Sequence, residues 1–244
     1  MGINAVSGLV EAAPEKIVRV WIKPGNARLK ALAERLDALG VACELTEQRA
    51  LDRRAGGVRH QGVIAEFSAR EAIDEAGLMS LIEAWNAPPR VLILDGVQDP
   101  HNLGACMRTA LAADCCCVVV PRDRAVGLTP VSRRAAAGAA EQLPLAMVTN
   151  LARCMVNLAE QGLFLAGLAG EAERGLEEVD LTGPLALVLG SEDKGLRRLT
   201  RERCDVLARI EMPGPMESLN VSVAAGIALF ESVRQARSSI AGAR

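Results

Sequence analysis

The 244-residue chain contains no tyrosine, three phenylalanines, two tryptophans and two histidines. So few aromatics exclude a platform on which single-stranded RNA bases stack. With only His60 and His101 present, a histidine-rich metal site is excluded. No run of about 18 apolar residues occurs, so no transmembrane helix is expected. Met1–Val6 lacks the basic start and apolar core of a secretion signal. Gly-x-Gly is absent, which removes the dinucleotide fingerprint and the glycine-rich first turn of a Rossmann-type methyltransferase. A Gly-x-Ser-x-Gly nucleophile elbow is missing too. None of the seven cysteines forms a Cys-x-x-Cys pair. Cys115, Cys116 and Cys117 are consecutive, and neighbouring strand residues face opposite ways, so the trio cannot chelate one ion. They read as small buried hydrophobes in a reduced compartment, and a cytoplasmic location is expected. Lysine is scarce at four positions; arginine, which supplies the other basic residues, suits bidentate phosphate contacts. The net charge of −2 gives no global sign of nucleic-acid binding.

Half of the residues are hydrophobic, enough for a sizeable core in one or two domains. Charge divides the chain. Residues 1–70 carry 11 basic and 8 acidic residues, a net of +3; residues 71–88 carry four acids and no base; residues 89–244 are nearly balanced, at −1. The middle segment ends at Pro88-Pro89, which cannot continue a helix. It reads as a linker holding one short helix, Leu78 to Trp85.

Residues 1–70 alternate elements: helices over 5–11 and 27–39, and strands over 17–22, 41–45 and 62–67, a small α/β domain. Between the last two strands Arg49, Arg53, Arg54, Arg59 and His60 stand beside Gly56-Gly57. Such a loop suits RNA phosphates, and equally a solvated flexible segment. Residues 89–244 predict strands at 91–94, 115–120, 143–148, 163–166, 185–189 and 206–210, with helices at 102–113, 131–137, 151–160, 195–201 and 218–237. Near-continuous apolar strands between helices indicate a parallel sheet covered on both faces. Ligands then bind beyond the C-terminal strand ends, where the loops 95–104, 190–195 and 211–222 lie.

Three segments carry chemistry. Asp95-Gly-Val-Gln-Asp-Pro-His-Asn102-Leu-Gly104 leads to Arg108; Asp99-Pro100 marks a turn and Asn102 is a candidate helix cap. Gly190-Ser-Glu-Asp-Lys-Gly195 follows a strand with the glycine spacing of a phosphate loop. Leu196 and Arg197 stand where Lys and Ser/Thr are required, and Glu192-Asp193 would repel phosphate. An acidic glycine loop suits a cationic ligand or a hydroxyl donor. Finally, Ser218, Asn220 and Ser222 cluster under Pro213-Gly214-Pro215 at the start of an apolar helix, more polar residues than one cap requires.

Together these segments resemble the three motifs of the SpoU branch of the SPOUT RNA 2′-O-methyltransferases. Gly2-Ile-Asn-Ala-Val and His60-Gln-Gly-Val63 resemble the ribosomal-protein-like RNA-binding domain of one subfamily, which methylates a guanosine in the peptidyl-transferase region of 23S rRNA. The resemblance implies an RNA substrate-binding domain over 1–70 and, after the linker, a parallel-sheet catalytic domain over 89–244 with a C-terminal trefoil knot. It also implies a homodimer with S-adenosylmethionine in the knot. Asn102, Arg108, Glu192, Ser218 and Asn220 become the catalytic group, and Gly190, Ile210, Met212 and Leu219 the cofactor contacts. Arg108 is expected to be an orienting cation rather than a base; Glu192 either takes the proton or orients Asn102 or Arg108. A tRNA methyltransferase of the same branch and a non-catalytic rRNA-binding assembly protein are the rival readings.

Overall fold

The computed structural model describes residues 1–25, 27–68 and 70–242. The chain divides into two compact units, one of residues 1–70 with 137–142, the other of 71–136 with 143–244.

The first unit contains α1 (Ile3–Ala12), β1 (Ile17–Ile22), α2 (Ala27–Ala38), β2 (Cys43–Leu45), α3 (Gln48–Ala55) and β3 (Val63–Phe67). Its sheet runs β2-β1-β3, with β1 parallel to β2 and antiparallel to β3. Val6, Leu9 and Val10 of α1 meet Val20 and Ile22 of β1 and the Leu29, Leu32, Leu36 stripe of α2 in one core. Trp21 and Ile64 cluster with Leu51 and Ala55 of α3. The basic segment expected to be a loop is thus helical as far as Ala55, and Gly56 closes α3 in the left-handed conformation (φ 56°) that glycine adopts without strain. Residues 137–142 join this unit. A Cβ on Gly8 of α1 would stand 2.8 Å from the carbonyl oxygen of Ala137, so glycine permits that close approach.

In chain order the remaining elements are α4 (Glu75–Glu83), β4 (Arg90–Asp95), α5 (Pro100–Ala112), β5 (Cys117–Pro121), α6 (Pro130–Ala135), α7 (Ala139–Gln142, in the first unit), β6 (Leu145–Val148), α8 (Leu151–Glu160), β7 (Phe164–Leu168), β8 (Arg174–Gly175), β9 (Leu185–Gly190), α9 (Arg198–Glu202), β10 (Val206–Arg209) and α10 (Val221–Gly242). The second unit's sheet runs β6-β5-β4-β9-β7-β10-β8, every pairing parallel. Its central strands are near-continuous apolar runs because both faces are covered. Val91, Ile93, Ala186 and Val188 face Leu78 and Ile82 of α4 and the Leu151, Cys154, Met155, Leu158 stripe of α8. Leu92, Leu94, Leu187 and Leu189 alternate to the other face and are equally buried. There α5 and α10 pack on one another and reach β5 and β9.

Residues 71–88 form no free-standing linker. Asp74 caps α4 by accepting from the Gly77 N–H at 2.9 Å, and Ile73 bridges Ala146 in parallel. The segment is therefore built into the second unit. Among the described residues no helix is long and apolar enough to cross a membrane, and no group of three or more His, Cys, Asp or Glu is placed to hold a metal.

Candidate active site

Because the sheet is parallel, β4, β7, β9 and β10 all end on one edge, at Asp95, Leu168, Gly190 and Arg209. The loops leaving that edge build the site. The Gly190–Gly195 loop folds back on itself: the Gly195 N–H donates to the Ser191 carbonyl at 2.8 Å. The backbone of Gly195 and Leu196 then crosses directly over Gly190, where a Cβ would lie 2.0 Å from the Gly195 carbonyl carbon. Only glycine fits there. Asp95, buried at the end of β4, clamps the far side of the loop. It accepts from the Arg197 backbone N–H at 3.1 Å and from Nε of the same residue at 2.5 Å.

This clamp presents Glu192. One carboxylate oxygen, Oε1, accepts from Asn102 Nδ2 at 3.2 Å, from Asn220 Nδ2 at 2.7 Å and from the Val221 N–H at 3.2 Å. Asn220 Nδ2 also donates to Asn102 Oδ1 at 3.0 Å. The Val221 N–H belongs to the first turn of α10, where free amide groups and the helix dipole favour an anion. Asn220 precedes that turn, and its Oδ1 accepts from the Ser222 N–H and hydroxyl at 2.9 and 2.6 Å. All three sequence segments thus converge on one carboxylate.

Two cavities meet there. The first, about 390 Å³, lies between the glycine loop and the segment after β10. All four expected cofactor contacts, Gly190, Ile210, Met212 and Leu219, line it, together with Ser218 and Glu192. At its rim Arg201 pairs with Glu171. The second, about 260 Å³, is bounded by the β4–α5 turn, Asn102 and the tip of the glycine loop. Ser191, Glu192, Lys194 and Val221 belong to both walls. Burial, with the Glu192 carboxylate nearby, pushes the Cys106 thiol up to about 12, and burial raises Cys204 to about 12. Neither thiol is a nucleophile near neutral pH.

The structure brings Asn102, Glu192 and Asn220 together and sets Ser218 on the first cavity's wall. It does not bring Arg108 to them: that side chain is exposed on α5, lines neither cavity, and holds no hydrogen bond or ion pair among the described residues. Asn102 does not cap α5. Asp99 does, accepting from the His101 N–H at 2.8 Å, which frees the buried Asn102 amide for Glu192. In the first unit Arg49, Arg53, Arg54 and Arg59 are exposed, with Arg54 stacked 4.2 Å over the Trp21 ring. His60 is not among that surface set: it is buried, its Nδ1 accepts from the Gly62 N–H at 3.1 Å, and its Nε2 therefore carries the proton donated to Asp52 at 2.9 Å. The Asp95–Arg197 clamp was not foreseen, since 102 residues separate its partners. The contribution of the Val221 N–H was missed as well, since the sequence reading opened this helix at Ser218 and not at Val221.

Fold and site define an α/β enzyme that binds its ligands beyond the carboxyl edge of a parallel sheet. The SpoU rRNA methylase family matches residues 89–230, and the family described as RNA 2′-O ribose methyltransferase substrate binding matches residues 1–72. The chain belongs to the SpoU rRNA methylase family. It is 50% identical over 236 residues to the 23S rRNA (guanosine-2′-O-)-methyltransferase RlmB of Coxiella burnetii, covering 96% of this chain and 94% of that one. It is 48% identical to the RlmB of Pseudomonas putida, covering 96% and 95%. Its fold matches the SpoU methyltransferase AviRb of Streptomyces viridochromogenes, solved in complex with AdoMet, at a TM-score of 0.76 and 23% identity over 98% of this chain and 90% of that one.

Proposed function

We infer that this chain transfers a methyl group from S-adenosylmethionine to the ribose 2′-hydroxyl of a guanosine in 23S rRNA. Family membership and relatives near 50% identity with that activity support the reading. The observation that carries the chemistry is the Glu192 carboxylate, held by Asn102, Asn220 and the Val221 N–H in the wall shared by two cavities.

The first cavity suits the cofactor. Its glycine-loop backbone leaves no room for a side chain at Gly190, and Glu192 and Glu217 place carboxylates in its wall, which suits a sulfonium cation. When bound there, S-adenosylmethionine supplies an already activated methyl group. Gly190, Ile210, Met212 and Leu219 would hold it, largely through backbone atoms. With Oε1 saturated, Oε2 of Glu192 accepts nothing among the described residues and is left to hold and orient the hydrogen of the 2′-hydroxyl. Asn102 and Asn220 lock the carboxylate, and Ser218 contributes a hydroxyl to the wall. Arginine keeps its charge in proteins, so Arg108 serves as a cation for the developing alkoxide and not as the base.

A homodimer completes this arrangement. Val223, Ile227 and Phe230 on one face of α10 are 50%, 41% and 49% exposed, a stripe that a second copy would cover. Thr109, the residue after Arg108 on α5, packs beside Gly226 of the same helix α10. The trefoil knot is supported by the passage of Gly195–Leu196 across Gly190 and the return of α10 onto α5 and β9. The first unit, with Arg49, Arg53, Arg54 and Arg59, is proposed to grip rRNA phosphates, while buried His60 fixes the loop they flank. Free thiols at all seven cysteines fit a cytoplasmic setting.

The reading is tested by methyl incorporation into 23S rRNA and bare tRNA. Wild type modifies a guanosine ribose in rRNA and leaves tRNA untouched. Arg108→Ala loses transfer yet keeps cofactor affinity within a few-fold. A chain that modifies tRNA instead, or that binds no cofactor by titration, overturns the reading; full activity in the variant removes Arg108 from the chemistry.

A further inference from the structure

The second cavity contains groups that the Glu192 network does not use. Asp193 and Lys194, at the tip of the glycine loop, are exposed into it, and neither holds a hydrogen bond or ion pair among the described residues, not even with the other. An unpaired carboxylate and an unpaired ammonium therefore both line a recess of about 260 Å³ that shares Glu192 with the cofactor-sized cavity.

Chemistry limits what such a recess receives. The reacting hydroxyl has to lie at Glu192, and the base is attached to the same ribose. It must fall within one sugar's reach of Glu192 and outside the space that the methyl donor fills. The second cavity meets both conditions. Sequence-specific recognition of RNA reads unstacked bases in loops and bulges by their edges.

We propose that the second cavity receives the base of the target nucleotide and that Asp193, with Lys194, selects guanine there. This assignment rests on the guanosine reading above and adds the residues that would enforce it. Guanine presents N1–H and N2–H side by side, two donors matching the two oxygens of a carboxylate, while its O6 and N7 accept from an ammonium. Adenine and cytosine offer an acceptor nitrogen at the corresponding position, which a carboxylate repels. Uracil offers a single N–H flanked by two carbonyl oxygens. A carboxylate and an ammonium in one recess thus favour guanine over the other three. Asp99 lies in the same recess but spends one oxygen on the helix cap, so Asp193 is the carboxylate with both oxygens available.

The test uses the full chain and rRNA transcripts carrying guanosine or inosine at the target position; inosine lacks only the N2 amino group. The readout is kcat/KM for methyl transfer. Wild type is expected to prefer guanosine by about tenfold, the usual discrimination of a paired base contact. Asp193→Asn is expected to lower the guanosine value by about tenfold and to bring the two substrates within about threefold of each other. Cofactor affinity and thermal unfolding of the variant, measured in parallel, are expected to match wild type, which separates base selection from loop damage. A variant that keeps the wild-type guanosine-to-inosine ratio overturns the assignment and leaves the guanosine reading standing. A wild-type chain that leaves the guanosine unmethylated overturns both.

Discussion

Replacing Arg197 by alanine strips the buried carboxylate of Asp95 of its cation. The Asp95 side chain is 0% exposed and that of Arg197 43% exposed, so only one member of the pair can turn to water when the other is lost. Removing one partner of a fully buried pair costs about 3–5 kcal/mol. The partial exposure of the guanidinium scales this to about 2–3 kcal/mol for Arg197→Ala. Asp95→Ala leaves no stranded charge, because the guanidinium can reach solvent, and costs nearer 1–2 kcal/mol, roughly one lost charge-assisted bond. The second unit falls in the size range where each kcal/mol shifts the melting temperature by about 2–4 °C. Arg197→Ala is therefore expected to melt roughly 5–10 °C early, and Asp95→Ala by less. The double variant should cost clearly less than the two singles combined, because the second substitution removes the charge that the first one stranded. Thermal unfolding of the four proteins measures this, and cofactor titration should show weakened binding in both singles, since the clamp carries the loop that presents Glu192. Single-variant costs that add within about 0.5 kcal/mol would refute the coupling.

Gly190→Ala is expected to displace the Gly195–Leu196 backbone, with an overpacking penalty of about 1–3 kcal/mol or more, and to abolish cofactor binding by calorimetry; retained affinity would show that the loop yields. Ile227→Glu puts a charge into the exposed stripe of α10; on the proposed homodimer, light scattering should give a dimer for wild type and a monomer for the variant. The bond from the His60 ring, then that from the Gln48 amide, holds the Asp52 carboxyl below its ordinary value. A depressed carboxyl stabilises the folded chain above its unfolded pKa and loses that contribution as pH falls through the folded value. Below about pH 4 the wild-type melting temperature should fall more steeply than that of Asp52→Asn; parallel curves would exclude the linkage.

Elements with a strong period and a cap were legible in the sequence. The Leu151, Cys154, Met155, Leu158 stripe put α8 at 151–160, where it lies, and the short apolar run Leu185–Leu189 read as a strand covered on both faces. Helix α3 was missed because Leu51 and Ala55 alone are buried, too short a stripe to show a period among three arginines. The site residues Asn102, Glu192 and Asn220 were visible as motifs. Their contact was not, since hydrogen bonds spanning 90 and 118 residues leave no local periodicity. The start of α10 was placed at Ser218, three residues early, because a polar residue before an apolar run looks like a cap; the helix opens at Val221, whose N–H is committed to Glu192.

The first unit is not contiguous in the chain, since residues 137–142 belong to it. A ribosome making this protein N-terminus first releases 70 residues of that unit, then has to add 72 more before its last helix, α7, exists to meet α1. Vectorial synthesis therefore cannot finish the first unit before part of the second has emerged. A gene cut after Arg70 would encode an open fragment whose Gly8 face lacks the backbone of Ala137 and Gly138 that it is shaped to receive.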